Sequence, residues 1–306
     1  MTDGQKAGGD PAPGGTSNAS LVALASSGIF AAMAMVARLL SRTLPGPQIA
    51  MVRFAIGVAV VLLLLAKLKS RLRPRRWGWL VSRGVFGGTA VLLYFISIER
   101  IGVGIATLLN YTSPVWSMLF AWLLLRERPH RQAFAALATT LVGVALVGSG
   151  QSHGWRLGGW ELLATLSAVM SGMAITSIRA TRRESTDGPP SESSWTVFSS
   201  FTTLGLFATL PAVLPPYGTW VAPGGREWLL LVLCGLLSIA GQVLMTYSLG
   251  RLTAVSLGIL QQATVVLAMA GGIALFDEPL SPRGAVGSLV TVGGVLWSVV
   301  AERAKE

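Results

Sequence analysis

The sequence predicts an all-α integral membrane protein, with ten transmembrane helices arranged as two inverted five-helix repeats around a central cavity. Three observations predict it. Apolar residues make up 52% of the 306 and charged residues only 12%, whereas a soluble domain carries about a quarter charged residues, so lipid must solvate part of this chain. Ten runs of mostly apolar residues follow one another with short polar connections, each close to the roughly 20 residues that cross about 30 Å of hydrocarbon. The second half of the chain also repeats the first.

The runs lie at about 20–41, 47–67, 77–98, 101–125, 131–149, 158–180, 195–214, 227–249, 253–276 and 282–301. None alternates polar and apolar residues, as a membrane barrel requires, so the spans are helical. Residues 1–19 are rich in Gly, Pro and Ser and are expected to be a disordered cytoplasmic tail. They lack the layout of a cleaved signal, so the run from Leu21 is an uncleaved first helix. Residues 302–306 form a second short cytoplasmic tail. Of the 24 lysines and arginines, sixteen fall on the side of the termini, five fall on the other side, and Arg38, Arg53 and Arg83 lie inside spans. Positive charge collects on the cytoplasmic side, which places both termini there. The same bias explains the net charge of +11, and nucleic acid is not an expected partner. Trp77, Trp79, Trp155, Trp160, Trp195, Trp220 and Trp228 sit near span ends, where half-wet indole rings belong. The single cysteine, Cys234, and the two histidines, His130 and His153, form no cluster with metal-ligand spacing, so neither a metal nor a cofactor is expected.

A shift of 151 residues superposes the halves. It pairs Ser97 with Ser248, Arg100 with Arg251, Glu127 with Glu278, Thr140 with Thr291 and Gly143 with Gly294. Between these, Asn110 meets Gln261, Tyr111 meets Gln262 and Ser113 meets Thr264. Nearer the start, a shift of 140 pairs Ser27 with Ser167 and Met33 with Met173. The units are therefore 20–150 and 151–301. Five spans is an odd number, so the second unit starts from the opposite side of the membrane. Secondary carriers commonly enclose a midplane site between such inverted repeats.

The segment ATLLNYTSPVWSMLFAWLLLRERP from Ala106, with Pro114 mid-helix and Glu127 at the exit, resembles the fourth-helix signature of the drug/metabolite transporter superfamily, EamA type. TLVGVALV after it, VRFAIG around Arg53, and LGILQQATVVLAMAGGIALFDEPL with TVGGVLW in the second half are similar too. Val265 stands where the family often has a second mid-helix proline, so equal kinking of the halves is not implied. The resemblance implies ten helices in two inverted repeats around a cavity and a small-molecule substrate. In the bacterial branch it implies an inner-membrane exporter of amino acids.

Polar groups at mid-depth should face a cavity or a neighbouring helix, because lipid cannot satisfy them. Asn110, Ser113 and Ser117 share one face of the fourth span. Pro114 beside them removes a donor and frees the carbonyl of Asn110, a place for a zwitterion's ammonium. Gln261 with Thr264, and Gln262 pointing elsewhere, come from the ninth span. Gln242 and Ser238 come from the eighth, and Ser167 and Ser171 from the sixth. Phe30 and Tyr94 supply aromatic walls, or else core packing for Phe30 and an interfacial anchor for Tyr94. Serines in membrane helices also serve plain packing. Arg38, Arg53 and Arg83 lie near enough to span ends to snorkel; the alternative is that one of them draws a substrate carboxylate inward. No Asp, Glu or His sits at the centre of a span, with Glu99 and Glu161 marginal. This favours flux down a gradient, or coupling through the marginal groups.

No catalytic residues are expected. An intramembrane protease would need a serine and histidine at one depth or paired aspartates, and a metal-dependent transferase would need clustered acids. Glu127 and Glu278 end equivalent helices on opposite faces, too far apart to share acid/base work. A channel lacks its filter motif or charged ring here, and a scaffold would need no mid-depth amides. A carrier moving small metabolites through the bilayer, most of all amino acids, is the expected function.

Overall fold

Twelve helical elements follow one another along the chain, in a computed structural model that describes residues 15–68, 74–127, 131–149, 158–183, 191–215, 218–276 and 282–303. They are α1 (Gly15–Leu40), α2 (Gly46–Leu68), α3 (Trp77–Asn110), α4 (Ser113–Leu125), α5 (Arg131–Ser149), α6 (Gly159–Arg182), α7 (Ser194–Thr209) with a 3-10 turn at Leu210–Ala212, α8 (Gly225–Ser248), α9 (Ala254–Gln261), α10 (Ala263–Phe276) and α11 (Pro282–Arg303). No strand occurs among the described residues. Lys6, Lys69, Arg71, Arg73, Arg128, His130, His153, Trp155, Arg156, Glu278 and Lys305 lie outside them. The first helix opens at Gly15, about five residues before the expected span.

Among the described residues, five helices are long and apolar enough to cross a membrane: the segments Asn18–Leu40, Gly46–Ala66, Trp77–Arg100, Gly159–Arg182 and Gly225–Ser248. The starts of α7 and α9 carry local signals. Ser193 accepts a hydrogen bond from the backbone N–H of Thr196 at 3.0 Å, and Thr253 does the same for Ser256 at 3.1 Å, so each satisfies a donor that a helix start leaves free. Leucines point outward in numbers no water-soluble surface tolerates; Leu229 and Leu289 are 71% and 74% exposed, which fits a lipid-facing shell. Trp77, Trp160, Trp195, Trp220 and Trp228 are exposed as well.

Two expected spans are broken. The fourth does not begin afresh at residue 101; α3 runs on to Asn110, and a turn at Tyr111 and Thr112 precedes α4. Pro114 is the second residue of α4, where the backbone donor it lacks has no helical partner to lose. The ninth span breaks at Gln262, between α9 and α10, with no proline there.

Helix packing follows a regular scheme. The helices α3 and α6 pack along their lengths, as do α1 and α8, while α3 meets α7 and α2 meets α8. Likewise α4 lies on α6 and α10 on α1, and the pairs α2–α7, α5–α11 and α4–α9 close the bundle. The α5–α11 seam is reciprocal. A Cβ added at Gly143 would stand 2.3 Å from Thr291 Oγ1 and 2.7 Å from the Gly287 carbonyl oxygen. One added at Gly294 would stand 2.6 Å from Thr140 Cγ2 and 3.2 Å from the Ala136 carbonyl oxygen. As the position advances along α5 its partner retreats along α11, so the two helices run antiparallel.

Candidate functional site

The two helix breaks lie against each other. Gln262, fully buried, donates from Nε2 to the carbonyl of Tyr111 at 2.9 Å, and so joins the break in one half to the break in the other. A break frees backbone carbonyls that a continuous helix would occupy, and here one of them is taken by an amide from across the bundle. Gly258 brings α9 onto α4, since a Cβ there would be 2.7 Å from Pro114 Cβ. Thr264 Oγ1 donates to the Ser27 carbonyl at 3.2 Å.

The other two amides make matched crossings. Asn110 Nδ2 donates to Ser167 Oγ at 2.7 Å, from the end of α3 to α6. Gln261 Nε2 donates to Ser26 Oγ at 2.7 Å, from the end of α9 to α1. Neither serine depends on its amide for a partner. Ser167 Oγ donates to the Ala90 carbonyl at 2.8 Å and Ser26 Oγ to the Ala23 carbonyl at 3.0 Å.

Two arginines lie beside these amides, and their placement corrects the expected snorkelling. Arg53 and Arg83 are each only 4% exposed; the guanidiniums turn into the bundle instead of out to either surface. Arg83 Nη2 donates to Gln242 Oε1 at 2.7 Å, and its guanidinium carbon lies 3.8 Å from the centre of the Phe201 ring. Gly87, one turn along α3, makes the room: a Cβ there would stand 2.1 Å from Arg83 Nη1 and 3.0 Å from the Phe201 ring. Arg53 Nη1 meets Met33 Sδ at 3.6 Å, with the Phe54 and Phe95 rings 5.1 and 5.8 Å away. Phe54 and Phe201 meet edge to face at 5.1 Å, so the two cations rest on one aromatic platform.

Arg53 Nε and Nη2, Arg83 Nε and Gln262 Oε1 are buried without a partner. The described carboxylates whose bonds are resolved all act at helix ends: Glu99 accepts from the Gly46 N–H, Glu161 from the Gly158 N–H, Glu127 from Arg179, and Glu192 from the Arg75 and Arg76 N–H groups.

Comparison with known proteins places this arrangement. The sequence matches the EamA-like transporter family over residues 17–149 and again over 158–300. The chain belongs to that family. The pseudopaline exporter CntI of Pseudomonas aeruginosa is 28% identical over 282 residues, 92% of this chain and 93% of that one. Human solute carrier family 35 member G1 is 27% identical over 230 residues, 72% of this chain and 60% of the relative. A crystal structure aligns with 95% of this chain and 99% of its own at a TM-score of 0.76 and 21% identity, which shows a shared fold. This is a multi-pass membrane transporter, and these relatives are transporters.

Within this EamA-like transporter the residues chosen from sequence fall into two groups. Asn110, Gln242, Gln261 and Gln262 each bond to another element, and Gln261 and Gln262 point apart as adjacent helical residues must. Tyr94 is half-buried in the cluster around Arg53, edge-on to Phe95 at 5.9 Å. The remainder do structural work. Phe30 packs on Gly241, where a Cβ would lie 2.8 Å from its ring. Ser113 and Pro114 are buried at the start of α4, and Ser117 Oγ donates back to the Pro114 carbonyl at 3.0 Å. Ser171 is half-buried, one turn beyond Ser167 on α6. Sequence reasoning left out Tyr111, Phe54, Phe201 and Gly87. The glycine four residues after Arg83 was the available signal, because it vacates the helix surface onto which that long side chain folds.

Proposed function

We propose that the chain is a secondary carrier of the inner membrane that exports small amphipathic metabolites, amino acids foremost, by alternating access between two inverted five-helix units at 20–150 and 151–301. One observation carries the reading: the centre of the bundle is built from exchangeable polar contacts in which the equivalent amides Asn110 and Gln261 each cross to a serine of the other half, Ser167 and Ser26. The antiparallel, reciprocal seam of α5 and α11 supports inversion, because Gly143 and Thr140 are the partners of Gly294 and Thr291 at a shift of 151. The doubled family match supports two units. The name of the exporter relative supports outward movement of a metabolite. Charge bias supports cytoplasmic termini. The bound molecule would sit among Asn110, Gln242, Gln261, Gln262, Tyr94 and the two arginines.

Efflux from proteoliposomes holding only this protein tests the proposal, with amino acids, sugars and drugs as the panel. Saturable efflux of an amino acid is expected. Asn110→Ala and Gln261→Ala should each slow it several-fold with the unfolding temperature nearly unchanged, since the abandoned serines keep their backbone partners and a lost hydrogen bond costs only about 1 kcal/mol. Saturable movement of sugars alone would refute the amino-acid assignment, and parent-like flux in both variants would refute the site.

A further inference from the structure

The charge at the centre is unbalanced. Glu99, Glu127, Glu161 and Glu192 are each bonded elsewhere, and Arg53 and Arg83 are buried with N–H groups that meet no acceptor. An ionised group taken out of water is costly unless it is paired and hydrogen-bonded. Protein groups do part of this work: Gln242 gives Arg83 one neutral acceptor, Met33 gives Arg53 a weak sulfur acceptor, and the Phe201, Phe54 and Phe95 rings offer their faces or edges. None of these carries negative charge. Arginine here presents a planar fork suited to a carboxylate, and part of each fork is unused.

We infer that the transported molecule is an organic anion with two acidic groups, one received by Arg83 and the other by Arg53. This rests on the carrier reading above and narrows its substrate class. A neutral amino acid would bring one carboxylate and one ammonium, leaving the net charge of the two arginines unchanged. A molecule with two carboxylates cancels both. The stations are staggered in depth. Arg53 is seven residues into α2 and Arg83 six into α3, so they lie roughly 10 and 9 Å from helix starts on opposite faces, at 1.5 Å per residue. A short dianion therefore lies along the transport direction, and the aromatic platform between the stations accommodates an apolar body. Gln262 Oε1, buried and unpartnered, adds an acceptor for a substrate N–H.

The test uses the full chain, with succinate and glutamate as dicarboxylate probes and leucine as the neutral one. Uptake into proteoliposomes is read together with the rise in unfolding temperature each probe causes in detergent. The parent should bind and move a dicarboxylate. Arg53→Gln and Arg83→Gln should each lower the dicarboxylate-to-leucine uptake ratio at least tenfold and remove the dicarboxylate-induced rise. Arg83→Lys keeps the charge but not the fork, so it should give a smaller loss, and it serves if the glutamine variant does not fold. Leucine uptake without dicarboxylate binding or uptake, or a ratio unmoved in the arginine variants, overturns the inference and leaves the carrier standing. Dicarboxylate binding with no flux of any solute does the reverse. No binding and no flux overturns both.

Discussion

Gly293 and Gly294 stand side by side in α11, and an alanine at each tests the α5 seam with its own control. A Cβ at Gly293 meets nothing within 4 Å. Gly293→Ala should therefore show only the intrinsic gain of replacing a mid-helix glycine, about 1 kcal/mol. Gly294→Ala has the same gain, but its Cβ would stand 2.6 Å from Thr140 Cγ2 and 3.0 Å from the Thr140 backbone nitrogen. Thr140 cannot simply rotate away, because its Oγ1 donates to the carbonyls of Ala136 and Leu137 at 3.1 and 2.8 Å. Gly143→Ala is worse placed, with the Thr291 nitrogen at 2.5 Å and the Gly287 carbonyl oxygen at 2.7 Å. Backbone atoms do not yield, so the helices must part by about 1 Å, and overpacking of this kind costs about 1–3 kcal/mol. Gly143→Ala should thus fall about 1–3 kcal/mol below Gly293→Ala, the overpacking cost alone, because the propensity gain is common to both. Gly294→Ala should lie between them. The double variant Gly143→Ala/Gly294→Ala should lose less than the two single losses together, since the first alanine has already opened the seam the second would strain. Tryptophan fluorescence during unfolding in detergent reads the order. Equal stability of Gly143→Ala and Gly293→Ala would refute the seam, and full additivity would refute its reciprocity.

Two further substitutions separate site from scaffold. Gly87→Ala drives the far end of the flexible Arg83 side chain off Phe201 and sets its Cβ 3.0 Å from the Phe201 ring, which must give slightly, so the unfolding temperature should fall by no more than a few degrees while the transport KM rises several-fold; an unchanged KM counts against a role for that guanidinium position. Glu192 is 2% exposed and its Oε1 accepts from the Arg75 and Arg76 N–H groups at 2.5 and 2.7 Å, just ahead of α3. Glu192→Ala orphans both donors and should cost about 2–4 kcal/mol, with Glu192→Gln near half of that. Parent-like thermal unfolding of the alanine variant would show that the carboxylate is not the staple holding α3 to the end of α6.

Helix limits were legible because they follow from apolar run length and capping chemistry, which are local. The starts and ends of α2, α5, α6, α8 and α11 fall within three residues of the expected spans. The cross-helix polar contacts were legible where a residue is costly to hide anywhere but inside, hence the four amides. It was not legible where the answer depends on which way a long side chain turns. Arg53 and Arg83 are near enough to helix ends to reach water, and sequence distance cannot say that each folds inward onto a phenylalanine from another turn or helix. The break at Gln262 was hidden for a related reason. Proline marks a break through its own missing donor, whereas at Gln262 the chain turns with an i to i−3 bond from its N–H to the Ile259 carbonyl at 3.0 Å and a side chain committed to Tyr111 across the bundle. The cause is tertiary.

The contacts also divide by how readily they can be exchanged, and the division bears on which helices could slide past one another. At the α5–α11 seam, small residues set backbone against backbone, and any shift along the helices brings the next, larger side chain into the gap that Gly143 or Gly294 leaves. Such a contact can act as a pivot but not as a slide. The amide crossings differ. Withdrawing Asn110 or Gln261 leaves Ser167 and Ser26 donating to their own backbone acceptors, and the released amide can bond instead to a ligand or to water. At the opposite extreme, Arg179 ties α6 both to Glu127 at 2.9 Å and to the Leu249 carbonyl at 3.2 Å. The carboxylate is held out to it by the left-handed turn at Arg126, which lets the Glu127 N–H bond back to Ala121 at 3.2 Å. Opening that end separates a charge pair. The opening would therefore need to be offset by binding at the centre, and the two half-satisfied guanidiniums are where such binding energy is available.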